Sequence, residues 1–236
     1  MSPKRSSAAD CVAVPAAALR GQRWDPAFWG PRADAFERLA ALPCRPLGEF
    51  IEHITYGPIV TGQRPSPSPE GVLIIDQRAV RPTGVVLDDA ITVREGCVYD
   101  VPRCRLRPRD VVLCRSGAGT LARRRFTVFD LRLRATVSCF VDLIRLQGLN
   151  PYYAVTFLRS PLGWGQIERL INGVGTPNLS FAEIRSLLVP ELPVERQAAV
   201  EESWQRVRRL HRRGALEAAR AALDQIAARL DGWLRP

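Results

Sequence analysis

The apolar positions change period along the chain, and each change predicts an element. From Asp34 to Leu42 they fall at helical spacing through Phe36, Leu39 and Ala40, and Pro43 ends the run. Leu47 to Ile54 is amphipathic and predicts a short helix. Tyr56 to Gly71 loses the pattern in a Pro- and Ser-rich loop that carries Arg64. Val72 to Asp76 is apolar and β-branched, and predicts a buried strand. Turns and short strands alternate from Arg78 to Asp100. Leu106 to Asp110 reads as a turn and Val111 to Cys114 as a strand, followed by the glycine loop Ser116 to Thr120. Phe126 to Val141 supplies two more strands. Asn150 before Pro151 predicts a capped helix start, because the Asn side chain accepts from free backbone N–H groups and Pro has none to lose. Gly163 to Ile171 is a second helix and Asn172 to Pro177 a turn. Ser180 caps a short helix, and Leu187 to Val189 is a last strand.

Residues 194–234 carry helical periodicity almost throughout. Leu216, Leu223 and Leu230 are seven apart, as are Ala219, Ile226 and Trp233, which makes an a/d seam. Upstream, Val200, Trp204, Val207 and Leu210 form another apolar stripe, out of phase with the seam near Gly214. A continuous helix would extend roughly 60 Å at 1.5 Å per residue, beyond the reach of one small domain. Two outcomes follow: the seam pairs with another chain, or the helix bends at Gly214 and folds back.

These elements divide the chain into an N-terminal arm (1–42), an α+β domain (43–193) and a C-terminal helical segment (194–236). The 236 residues are 46% hydrophobic, enough to build a core and against disorder. The net charge of +10 is almost all arginine, since Lys4 is the single lysine. An arginine-favouring composition produces part of that excess, so its location carries more weight than its size. Between Arg103 and Arg134 ten arginines (103, 105, 107, 109, 115, 123, 124, 125, 132 and 134) face two aspartates, Asp110 and Asp130. Arginine suits phosphate as a bidentate fork and suits the O6/N7 edge of guanine equally well. The glycine loop lies inside this cluster, where glycine lets backbone N–H groups approach phosphate.

Other chemistry finds little support. The six cysteines lack C-x-x-C spacing, and His53 and His211 sit near no second ligand, so no metal or other cofactor is expected. With no secretion signal or membrane-length apolar run, scattered thiols read as reduced side chains of a cytoplasmic protein. Ser116 to Thr120 lacks the G-K-[ST] of a P-loop and the βαβ setting of a dinucleotide fold. Asn150-Pro151-Tyr152-Tyr153 approaches the Asn-Pro-Pro-aromatic tetrad of adenine methyltransferases, but Tyr152 replaces the second proline. No glycine-rich turn upstream could bind S-adenosylmethionine, and a helix cap explains the motif.

Taken in order, four segments resemble a known family. They are PLGEFIEHITYGPIVTG, GVLIIDQRAVRPTG, LRPRDVVLCRSGAGT, and the closing stretch from Leu149 to Glu202 with its Gly175-Thr-Pro-Asn-Leu-Ser180 turn, Pro190 and Pro193, and Glu195-Arg-Gln197. The chain resembles the target-recognition domain of Type I restriction-modification specificity subunits over residues 43–210. A full subunit has two such domains; one copy is visible here. The resemblance implies a mixed α/β recognition domain with a coiled-coil-like C-terminal arm. It also implies a non-catalytic subunit that binds double-stranded DNA in the major groove and directs a partner DNA adenine methyltransferase. An accompanying restriction nuclease subunit is left open. Expected DNA contacts are Arg64, Arg78, Arg81, Arg115, Gly117, Thr120, Arg123, Arg124, Arg125, Asn172 and Thr176. Expected dimerisation or docking positions are Leu216, Ala219, Leu223, Ile226, Leu230 and Trp233, through a homodimer or a methyltransferase interface. The competing reading is a non-catalytic adaptor of an anti-phage or DNA-processing complex. A nuclease is a third, opposed by the lack of a carboxylate–lysine cluster.

Overall fold

The structure, a computed structural model, describes residues 16, 38–62, 64–88, 90–117, 119–171 and 176–234. Apart from Ala16, the expected arm therefore lies outside the described residues up to position 37. Leu39, just beyond, is fully buried in the core.

The first strand, β1 (Cys44–Pro46), pairs antiparallel with the last, β11 (Leu188–Pro190), so the ends of the α+β region close on each other. Leu47–Phe50 is a single 3-10 turn, and Ile51–Tyr56 is a strand, β2. The helix expected over Leu47 to Ile54 is thus corrected. Ile51, Ile54 and Thr55 are β-branched, and a neighbouring strand, β10 (Asp142–Leu146), offers them backbone partners along their length. Strand β10 is itself invisible in the apolar pattern because Asp142 and Arg145 interrupt it. Arg145 is tolerated inside because its guanidinium donates to both carboxylate oxygens of Asp110, at 2.8 and 2.7 Å.

Around β10 a four-stranded antiparallel sheet forms in the order β2, β10, β7 (Val111–Leu113), β8 (Phe126–Val128). A second sheet places β3 (Val72–Ile75) between β6 (Ile91–Val93) and β9 (Ala135–Val137), with β9 parallel to it. Strands β4 (Val80–Arg81) and β5 (Gly84–Val85) make a small hairpin. Side chains along β7 and the residue after it alternate, as extended geometry demands: Val111 and Leu113 join one hydrophobic cluster, Val112 and Cys114 another. The four-stranded sheet is therefore covered on both faces, by helices on one side and by the second sheet on the other.

The helical layer contains α1 (Pro151–Arg159), α2 (Pro161–Leu170), α3 (Phe181–Ser186), α4 (Val194–Arg212) and α5 (Leu216–Trp233). Asn150 caps α1, accepting from the N–H groups of Tyr152 and Tyr153. Ser180 and Glu183 form a capping box on α3. The C-terminal segment is two helices, not one. Gly214 takes a left-handed φ of 73°, and α5 returns antiparallel along α4. Ala219, Leu223, Ile226 and Leu230 are buried in the same core as Trp204 and Val207 of α4 and Tyr152 of α1. The seam is filled from within the chain.

Candidate nucleic-acid interface

Three loops meet at one end of the sheets. The β7–β8 connection holds the glycine loop, closed at its base by Cys114 N–H donating to the Arg125 carbonyl at 2.9 Å. Gln77, in the turn after β3, reaches across: its side-chain amide donates to the Ser116 carbonyl at 3.3 Å. In return Arg125 donates to the Gln77 carbonyl at 3.2 Å. The third loop enters through Pro177, whose carbonyl accepts from Gly117 N–H at 2.9 Å, and Leu179 N–H, which donates to the Arg115 carbonyl at 3.1 Å. Gln77 was not among the expected site residues, although its place beside Arg78 in a turn was a usable signal.

The expected contacts divide by what each side chain already does. Arg64, Arg78, Arg123 and Thr176 are exposed. Asp76 organises its turn by accepting from the N–H groups of Arg78 and Ala79 and pairing with the Arg78 guanidinium at 3.0 Å. Arg81 folds onto the carbonyls of Arg78 and Val80. Burial, then the charges of nearby Arg81 and Arg123, hold the Arg125 guanidinium below its ordinary range. Arg115 is half-enclosed, 4.2 Å from the Tyr56 ring centre and 5.6 Å from that of Phe181. Its Nε lies 3.6 Å from the buried carboxylate of Asp142. Burial pushes Asp142 up to about 7, and Arg115 opposes that shift. Asn172 lies outside the described residues.

Other groups in the loop face inward. Gly117, with φ 96°, has its N–H committed to Pro177, and the Thr120 hydroxyl donates to the carbonyls of Ser116 and Gly117. Their groups shape the loop and are not presented to a ligand. Arg124 is also a structural residue. It donates to the Arg159 carbonyl at 3.0 Å, while Arg159 donates back to the Arg124 carbonyl at 2.8 Å. Arg124 covers the Trp164 ring at 4.5 Å, Trp164 stacks on Phe126, and Arg159 covers Phe126 at 5.0 Å. Desolvation in this stack brings Arg159 down to about 10.

The arginine cluster is less positive in space than along the chain. Arg105 forks onto Asp100 at 2.9 and 2.6 Å, Arg134 pairs with Glu95, and Arg109 pairs with Glu201 from α4. Asn150, already capping α1, also donates to Glu201, so this Asn-Pro motif is occupied structurally. Beside Arg78 a cavity of about 480 Å³ opens, lined by Pro58, Val60, Pro65, Ile74 and Phe140. Among the described residues no three His, Cys, Asp or Glu side chains assemble a metal site, and no helix is long and apolar enough to cross a membrane. The five described cysteines form no disulfide.

This α+β arrangement is a fold found in part of a solved restriction endonuclease. It is shared with part of the type IIG restriction endonuclease BpuSI at a TM-score of 0.55, with 10% identity over 74% of this chain and 28% of that one. Two further solved structures are similar at 14% identity and a TM-score of 0.46. One is the S subunit of a Type-I restriction-modification system from M. genitalium, matched over 72% of this chain and 39% of that one. The other is the HsdS subunit from Thermoanaerobacter tengcongensis, over 86% and 50%. This chain thus spans at most half the length of these three. No protein-family model and no curated protein matches it.

Proposed function

We propose that this chain is a DNA-recognition subunit that brings a separate DNA adenine methyltransferase to its target sequence. The carrying observation is the union of three loops, around Gln77, Ser116 and Pro177, with Arg81 and Arg123 near enough to act on the Arg125 charge and Arg78 exposed beside Gln77 in the first loop. The shared fold with a restriction endonuclease supports the same reading. In it residues 43–193 read the duplex. Arg64, Arg78, Arg81, Arg115, Arg123, Arg125 and Thr176 make side-chain contacts, Asn172 outside the described residues is counted with them, and Gly117 and Thr120 hold the loop's shape. Exposed loop arginines serve guanine edges in the major groove or phosphates. The chain performs no chemistry; the partner extrudes and methylates the base. Since the Leu223 seam is filled internally, docking falls to the outer face of α5 and the first turns of α4.

Methylome sequencing of cells with and without the gene tests the proposal. A sequence motif whose adenine methylation disappears with the gene is the expected result. Identical methylomes overturn sequence reading and leave the adaptor function.

A further inference from the structure

The stretch from Ser203 to Leu216 contains five arginines (206, 208, 209, 212 and 213) and no acidic residue. It forms the last turns of α4 and the bend after it. Trp204 and Val207 are buried on the inner face, so the arginines are driven outward; 206, 209, 212 and 213 are exposed. Arg208 alone among the five is paired, with Asp130. A shallow concavity of about 360 Å³ is lined by Gln205, Arg208, Arg209, Arg212 and Arg213, and by no acidic side chain. An ordinary solvated helix face mixes its signs, as α5 does with Glu217, Arg220 and Asp224. Here like charges sit three and four residues apart, and each such pair is destabilising. The helix C-terminus attracts cations only within its last turn; Arg206, before that turn, shares a groove with Glu202, and Arg213 lies just past the helix end.

The patch adjoins the proposed reading surface. On the inner side of the same turn His211 holds the β4–β5 hairpin: Thr83 Oγ1 lies 2.8 Å from its Nδ1, and the Val85 carbonyl 3.2 Å from its Nε2. Arg212 lines a small cleft with Thr83 and Gly84, and the hairpin carries Arg81. We infer that the C-terminal end of α4 is a phosphate track, holding the backbone of the same duplex whose bases the loops read. The partner is polyanionic DNA because unpaired arginines in an acid-free concavity match a row of phosphates. This inference rests on the DNA-recognition reading.

The test uses the full chain with Arg209→Gln, Arg212→Gln and Arg213→Gln combined, and each alone. Binding to a mixed-sequence DNA duplex about three helical turns long is followed by fluorescence anisotropy over a salt series. Each phosphate contact contributes about 0.9 to the slope of log affinity against log salt, so the triple variant should lose about 2.7 and each single variant about 0.9. Circular dichroism confirms folding, and the single variants replace the triple one if it fails to fold. If the wild-type slope persists in these variants while Arg78→Gln and Arg123→Gln reduce it, the track is refuted and the reading surface stands. If the variants instead lose a co-purifying protein at unchanged DNA slope, the patch docks protein and the inference fails. Absence of any DNA binding by the wild-type chain overturns both.

Discussion

Leu223 decides between a seam used within the chain and one offered to a partner. It is 1% exposed and sits in the cluster that joins α5 to α4 and α1. Leu223→Ala removes three buried carbons from the cluster that also holds Trp204, Val207 and Tyr152, in packed helices that relax only partly. The lost transfer energy and the residual cavity together amount to about 3–5 kcal/mol. Domains are stable by roughly 5–15 kcal/mol, so the variant should show a much lower urea midpoint with little change in slope. Leu216, on the same heptad register but 41% exposed, is the internal control, and Leu216→Ala should cost about 0.5 kcal/mol or less. Multi-angle light scattering is run on the same samples. An unchanged urea midpoint for Leu223→Ala, together with a halved mass, would show that the seam pairs two chains and would refute the folded-back hairpin.

Three more outcomes are expected. Asp142 has its pKa raised by burial from 3.8 to about 7, so its protonated form is favoured in the folded state. The stability it contributes is complete below about pH 4 and is lost as pH rises through about 7. Asp142→Asn should flatten that part of a chemical-denaturation pH profile and raise stability at pH 8; a variant with the wild-type profile would contradict the assignment. At Gly163 in α2 an added Cβ would lie 2.1 Å from the Phe157 carbonyl oxygen, so Gly163→Ala should cost about 1–3 kcal/mol of stability by overpacking and lower the melting temperature accordingly. The neighbouring loop arginines should separate cleanly. Arg123→Ala should weaken DNA binding by about 1–3 kcal/mol at unchanged melting temperature, while Arg124→Ala should lower the melting temperature by breaking its stack on Trp164.

Local physics made much of the fold legible. Asn150-Pro151 and Ser180 mark helix starts because their side chains satisfy N–H groups within the same turn. The β-branched run at Val72 became a strand as its pattern required, and the loop near Gly117 stayed a loop. Strand β10 and the true nature of Ile51–Tyr56 were hidden because each depends on the other as backbone partner. The same limit governs the site. Ten clustered arginines suggested a strongly positive surface, yet Arg109 finds Glu201 92 residues away and Arg134 finds Glu95 at a separation of 39. Arg124 and Arg123 are adjacent in sequence, but one covers Trp164 and the other faces solvent.

By itself the sequence determined where several helices and turns begin, that the chain mixes strands and helices and ends in helix, and that positive charge concentrates in arginine. Those properties reside in spacing and in side chains that bond to their own backbone. Only the tertiary structure decided which arginines remain available, what fills the Leu223 seam, and that the basic end of α4 lies beside the β4–β5 hairpin. Charge neutralisation and cavity filling are satisfied by whichever group arrives in space, and distance along the chain does not specify which group that is.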